Sequence, residues 1–415
     1  MRLTVELYGT RIGTLAGSTQ DFDFVPSPQG IERFGVNSTM LSVAIPFTPT
    51  PRRDRALRRR NWFAEILPEG DQYDYMLAAA GLRDGDTPGF LAHYGRDVAG
   101  ALQIWDPDDP TEPRTPGLRP LTDADVRALL EDPIATPLAN APQSGRSSIG
   151  GVQPKIVVVK TATGWAQALG GYPTTHILKP QLDGKRATII FDEEYGSRIA
   201  HRIGLTDHPP VIANFDGHTA LVIERYDRDG VARIHQEDFN QALGASRNEK
   251  YQEIGGVVTL KRIAGALTRY TSSSELRTLA RMLVLAVGIG NLDLHAKNIS
   301  LLHPVDAEVQ LAPAYDIVPQ AHTSSDGRLA LSVNRRYRLA DVTAEDIIAE
   351  IRSWGLRNPT PLVRETLAEI LEAVTNEHPQ DRAYPALQEE ITAFVRNLIA
   401  GRPAKASSQT PPSVK

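Results

Sequence analysis

In the run Gly290-Asn291-Leu292-Asp293-Leu294-His295-Ala296-Lys297-Asn298, a carboxylate at 293 and a side-chain amide at 298 stand five residues apart. That is the spacing of the protein-kinase catalytic loop, HRDxxxxN. Phosphoryl transfer accounts for it. A carboxylate must face the attacking hydroxyl while a neutral carbonyl oxygen reaches round to hold Mg²⁺. Lys297, beside that ligand, can neutralise phosphate charge. A metal site needs a second acid, and Asp316 in Leu311-Ala312-Pro313-Ala314-Tyr315-Asp316 falls where a DFG-type aspartate would stand, beyond an expected hairpin. A polar turn without chemistry is the competing reading of the loop, so context decides.

Upstream residues supply that context. Lys179 ends Thr175-His176-Ile177-Leu178-Lys179 as an ATP-anchoring lysine ends a strand of a kinase N-lobe; the alternative is a charge on an exposed sheet edge. A helix carrying Glu193 and Glu194 follows and is placed to orient it. Glu224-Arg225-Tyr226-Asp227 closes the next strand, where a hinge would pair the adenine edge with backbone groups. Ser147-Ser148-Ile149-Gly150-Gly151-Val152-Gln153-Pro154-Lys155 leads into another strand. Adjacent glycines let N–H groups approach phosphates, and Lys155 adds charge, although the Walker pattern GxxxxGK[ST] is absent. Loop, lysine, hinge, Asp/Asn pair and second aspartate occur in kinase order. A metal hydrolase built on His295, His303 and Asp293 has no HExxH spacing to support it.

The elements that must carry these residues are legible as periods. Leu3, Val5 and Leu7 alternate with polar residues as a strand, and 13–17 reads as a second strand returning. Residues 52–60, RRDRALRRR, read as a solvated loop or helix face. A helix is expected over 71–81, then a Pro/Asp-rich connector from Trp105 to Pro120, and a short helix from Asp123 to Leu130. Strands are expected at 156–159, 175–179 and 219–224. Tyr195, Ile199 and Ile203 share one helical face ended by Gly204. Leu276, Leu279, Leu283 and Val287 begin a helical half continued at 343–353, 361–375 and 386–399. Strands first and helices after give an α+β chain. The boundaries expected are 1–105 for a small β-containing domain, 106–144 for the connector, 145–230 for an N-lobe-like nucleotide region, 231–400 for a helical lobe and 401–415 for a disordered polar tail.

Composition narrows the class. The 415 residues carry 45 basic and 50 acidic side chains, a formal charge of −5, which gives no global reason to expect nucleic acid or membrane binding. Cysteine is absent, which excludes disulfides and thiolate metal sites. No apolar run approaches the ~20 residues that span a bilayer, and a cytoplasmic location is expected.

The runs SSIGGVQPK, THILKP, ERYDR, GNLDLHAKN and APAYD resemble the successive motifs of HipA-type toxin kinases, and NWFAEILPEG and HYGRDVAGAL resemble that family's N-terminal part. The resemblance implies a bilobal kinase-like fold related to lipid kinases, with a small β-rich N-terminal domain and a mainly helical C-terminal lobe. It implies Asp293 as catalytic base and Asn298 and Asp316 as Mg²⁺ ligands. ATP would be held by Gly150, Gly151, Val152, Gln153, Lys155, Lys179, Glu224, Arg225, Tyr226, His295, Lys297, Asn298, Tyr315 and Asp316. Ser148 matches an autophosphorylated serine, with Ser147 as the competing acceptor. An aminoacyl-tRNA synthetase is the implied substrate and a DNA-binding, HipB-like antitoxin the implied partner, DNA being reached through the antitoxin. The other readings are AMP transfer on a kinase-like scaffold and a catalytically silent co-repressor.

Overall fold

The computed structural model describes residues 1–19, 21–112, 114–134, 153–323 and 326–405. Its contacts divide into two compact units, one of residues 1–190, 210–250 and 299–312, the other of residues 191–209, 251–298 and 313–415.

The first unit holds two larger antiparallel sheets and two small ones. Strands β1 (Arg2–Leu7), β2 (Thr10–Gly17), β3 (Phe22–Pro26) and β4 (Leu102–Trp105) lie in the order β3-β2-β1-β4. The alternation at Leu3, Val5 and Leu7 buries all three, against helices α1 (Pro28–Phe34), α2 (Ala56–Ala64), α3 (Gly70–Ala79) and α4 (Thr87–Tyr94), in a core that includes Phe24, Trp62, Phe63, Phe90 and Ile104. The second sheet has β5 (Gly117–Leu121), β6 (Ile156–Thr161), β7 (Gly164–Leu169), β8 (His176–Pro180), β9 (Val211–Phe215) and β10 (His218–Glu224), in the order β5-β7-β6-β8-β10-β9. Helix α5 (Asp123–Glu131) starts on a capping box between Thr122 and Asp125. Its Val126 and Leu130 pack with Ile156, Val158, Leu178 and Val222 on one face of that sheet. A small ribbon, β11 (Arg228–Asp229) and β12 (Ala232–Arg233), precedes a three-stranded sheet of β13 (His235–Asp238), β14 (Ser300–His303) and β15 (Gln310–Leu311).

Helix α6 (Ile189–Arg202) leads out of the first unit and lies mainly in the second. Tyr195, Ile199 and Ile203 are buried as their spacing requires, and Gly204 follows at φ +70°. After α7 (Phe239–Leu243), which belongs to the first unit, the second unit continues with α8 (Leu260–Tyr270), α9 (Ser273–Ile289), α10 (Ala344–Ser353), α11 (Pro359–Asn376), α12 (Leu387–Ile399) and the hairpin β16 (Arg328–Val333) with β17 (Arg336–Arg338). Helix α9 is almost wholly apolar from Leu279 onward and is packed by α8, α11 and α12.

Three expectations need correction. The Pro/Asp-rich connector ends in a strand, β5, whose pairing partner β7 was not foreseen. The basic run is not only a solvated face: Arg59 is buried, and its guanidinium binds Asp23 bidentately at 2.6 and 2.7 Å. The tail is packed over its first residues. Ala404 is buried, its N–H donates to Val342 O at 2.8 Å, and Lys405 Nζ donates to Ala321 O at 2.8 Å. Among the described residues, no helix is long and apolar enough to cross a membrane.

Candidate active site

The Asp293 loop begins where α9 is forced to stop. Gly290 takes the left-handed conformation (φ +71°), and its N–H closes onto the last turn. Only glycine fits, since a Cβ there would lie 2.7 Å from Ala321 Cβ. Main-chain bonds then pin the chain on both sides: Gln320 N donates to Gly290 O and Ala330 N to Leu292 O, each at 2.9 Å. Within the loop, Asn291 Oδ1 accepts from Asp293 N at 3.0 Å, and Asp293 O accepts from His295 N at 2.7 Å and Asn298 Nδ2 at 2.9 Å. Asp293 keeps a 38% exposed side chain in this otherwise tight turn. A carboxylate that must meet an external hydroxyl needs that exposure.

The bond from Asn298 settles its amide orientation, because a carbonyl can only accept. Oδ1 is therefore turned away from Asp293 O. Asp316 adopts φ +54°, a left-handed conformation unfavourable for a non-glycine residue and typical of functional positions. Tyr315, its neighbour, donates its hydroxyl to Lys297 O at 2.6 Å, tying the Asp316 segment to the Asp293 loop. The same segment is held to α6: Ala314 N donates to Leu205 O at 2.8 Å, and a Cβ on Gly196 would lie 2.4 Å from Ile317 O. An amide carbonyl and a carboxylate are hard oxygen donors suited to Mg²⁺. His295 is buried, edge-on to Tyr251 with ring centroids 5.5 Å apart. Its Nε2 lies 3.9 Å from Asp293 Oδ2.

Of the residues expected to hold ATP, Lys155, Lys179, Glu224, Arg225 and Tyr226 lie in the first unit, on or beside its six-stranded sheet. Lys179 is on β8, a central strand paired with both β6 and β10, opposite Leu221. It is 6% exposed, which disposes of the exposed-edge reading. Alternation along β8 puts it on the face of Ile177, away from Leu178 and the α5 core. Lys155 is buried at the entry to β6, its carbonyl accepting from Gln72 Nε2 at 3.0 Å. Gln153 opens that segment, and among the described residues its buried Nε2 has no hydrogen-bond partner. Ser147, Ser148, Gly150, Gly151 and Val152 lie outside the described residues.

Arg225 is a correction. It follows Glu224, whose side chain is exposed, and alternation turns it inward. Its guanidinium binds Asp227 at 2.9 and 2.8 Å and Thr174 Oγ1 at 2.7 Å. Its N–H donates to Thr175 O and its carbonyl accepts from Arg228 N, so every polar group of Arg225 serves the protein rather than a ligand. Tyr226 hydrogen-bonds Gln236 through its hydroxyl. Of the two α6 acids, Glu194 binds Arg198 at 2.7 Å, and Glu193 is buried. Gly196, Gly290 and Asn291 were missed from sequence as site-shaping residues; the approaches of Ile317 O to Gly196 and of Ala321 Cβ to Gly290 are long-range, whereas the Asn291–Asp293 bond is local.

Residues 3–105 match the HipA N-terminal domain and residues 147–381 the HipA-like C-terminal domain. The protein Y4mE of Sinorhizobium fredii is 32% identical over 353 residues, covering 81% of each chain. The serine/threonine-protein kinase toxin HipA of Shewanella oneidensis is 26% identical over 357 residues, 80% of each. The solved complex of Shewanella oneidensis HipA with HipB and operator DNA contains a chain of TM-score 0.77 and 24% identity, matched over 96% of both. That likeness establishes a kinase-like α+β fold.

Proposed function

Because the chain belongs to the HipA family of serine/threonine-protein kinases, we propose that Asp293 is the base of an ATP-dependent transfer to a protein hydroxyl. The observation that carries the reading is the closed Asp293–Asn298 turn, with an exposed carboxylate at one end and an oriented amide at the other. Asp293 accepts the proton as the hydroxyl oxygen attacks the γ-phosphorus, and the bond to ADP breaks. Lys179 pairs with the phosphate tail. Asn298 Oδ1 and Asp316 hold Mg²⁺, which when bound neutralises charge on the phosphates. Glu224 and Tyr226 flank adenine through the backbone. Lys155, Gln153, His295, Lys297 and Tyr315 shape the nucleotide's surroundings.

Toxin activity completes the reading. An aminoacyl-tRNA synthetase is the protein substrate, and a HipB-like DNA-binding antitoxin the neutralising partner; support comes from the family and from the HipB complex of the Shewanella relative. Ser148 is the autophosphorylation site. A phosphate there adds about −1.5 to −2 charges beside Gly150 and Gly151, repels the ATP tail and limits the kinase. Incubation with ATP, Mg²⁺ and a lysate, with phosphosites mapped by mass spectrometry, tests the reaction, the substrate and the autophosphorylation site. Phosphorylated synthetase and phospho-Ser148 are expected. AMP adducts in place of phosphoryl groups would overturn the reaction, and modification confined to Ser147 would overturn the site.

A further inference from the structure

Asp97 lies in the turn joining α4 to β4, in the part of the chain that matches the N-terminal domain. It is 1% exposed. Its Oδ2 accepts from Thr174 N at 3.2 Å and Thr174 Oγ1 at 2.6 Å, and its Oδ1 from Arg228 Nη2 at 3.0 Å and Arg233 Nη2 at 3.4 Å. The reverse traffic is as dense. Arg225 and Arg228 donate to Val98 O at 3.1 and 3.3 Å, Arg228 also donates to Gly100 O at 2.9 Å, and Asp227 accepts from Gly100 N at 2.7 Å. Thr174 sits between the two segments, its carbonyl accepting from Arg228 Nε at 3.0 Å. Burial pushes the Asp97 carboxyl up, but Arg228, Arg225 and Arg233 outweigh it and hold it below the usual range.

These bonds end on the residues that directly follow Glu224. Main-chain bonds hold part of this turn (Arg225 N to Thr175 O, Arg228 N to Arg225 O and Ile234 N to Asp227 O), and the side chains of Arg225, Asp227 and Arg228 lock it to the 97–100 segment. We propose that Asp97 is a positioning residue for the nucleotide: through Thr174 and Arg228 it fixes the Glu224–Tyr226 backbone at the spacing an adenine edge requires. The inference rests on the adenine reading of that segment. It gives the N-terminal domain an indirect part in nucleotide recognition.

The test uses the full chain with adenosine and inorganic tripolyphosphate as separate probes, measured by calorimetry. Asp97→Asn removes the charge that holds three arginines, so adenosine should bind about tenfold more weakly while tripolyphosphate is unaffected. KM for ATP should rise by the same factor with kcat held. Thr174→Ala, a smaller perturbation, should reproduce the effect if Asp97→Asn does not fold, and Thr174→Ser should restore it. Hydrogen exchange on the wild type separates the two layers. Adenosine that binds without protecting the amides of 224–226 overturns the adenine reading and the proposal with it. Protection in the wild type, with unchanged adenosine affinity in the variants, overturns the proposal alone. Equal losses for both probes would mean general damage, and would also overturn it.

Discussion

Asn298 donates its side-chain amide to the main-chain carbonyl of Asp293 across 2.9 Å, so the two ends of the 293–298 loop fix one another. A metal ligand alone would tolerate aspartate, which offers a more strongly charged oxygen. Asn298→Asp instead sets a carboxylate against a carbonyl that needs a donor. Transfer should fall by about a hundredfold, measured as initial rate at saturating Mg²⁺. Full activity would mean the bond has no role in shaping the loop.

Lys179 should act mainly through phosphate charge. Lys179→Ala is expected to weaken ATP by about tenfold or more and adenosine much less, by calorimetry on both ligands. Equal losses would make the buried lysine a structural residue of β8.

Gly196 lets the Asp316 segment lie against α6, with Ile317 O only 2.4 Å from where a Cβ would be. Gly196→Ala should displace that segment while leaving the helix intact, since alanine favours helix. We expect kcat to fall about tenfold or more, with a raised Mg²⁺ requirement and an unchanged circular dichroism spectrum. A normal Mg²⁺ titration would contradict this account.

His235 is buried beside Trp62 and His303, with its Nε2 on Leu41 O at 2.8 Å. Burial first, then the neighbouring His303, lowers its pKa from the ordinary 6.5 to about 4. Between those values the unfolded chain binds a proton that the folded chain refuses, so stability falls as pH drops from 6.5 towards 4. Nearby Glu237 accepts from Ser42, Val43, Trp62 and His303. Burial pushes its carboxyl up, but the hydrogen bond and charge of His303, with those of Ser42 and Trp62, hold it below the usual range. Its contribution is likewise lost only in acid. Urea unfolding followed by tryptophan fluorescence should show a loss on the order of 3 kcal/mol across that window, smaller in His235→Gln. A flat profile would contradict it.

Local periodicity carried much of the fold. The alternation of Leu3, Val5 and Leu7 and the spacing of Leu276, Leu279, Leu283 and Val287 appear as buried faces, and the Asp293–Asn298 spacing corresponds to one closed turn. What escaped was long-range. The β5–β7 pairing leaves no mark in a Pro-rich stretch, and Asp97 meets Arg228 across 131 residues. Arg225 was misread because residue types at a strand end do not say which way a side chain points.

The central claim is that Asp293 takes the proton in phosphoryl transfer while Asp316 helps hold the metal. Labelling with γ-³²P ATP and Mg²⁺, comparing the wild type with Asp293→Asn and Asp316→Asn, tests it most directly. Each variant should keep its circular dichroism spectrum and lose transfer by about a thousandfold or more. Wild-type-like labelling by folded Asp293→Asn would contradict the account.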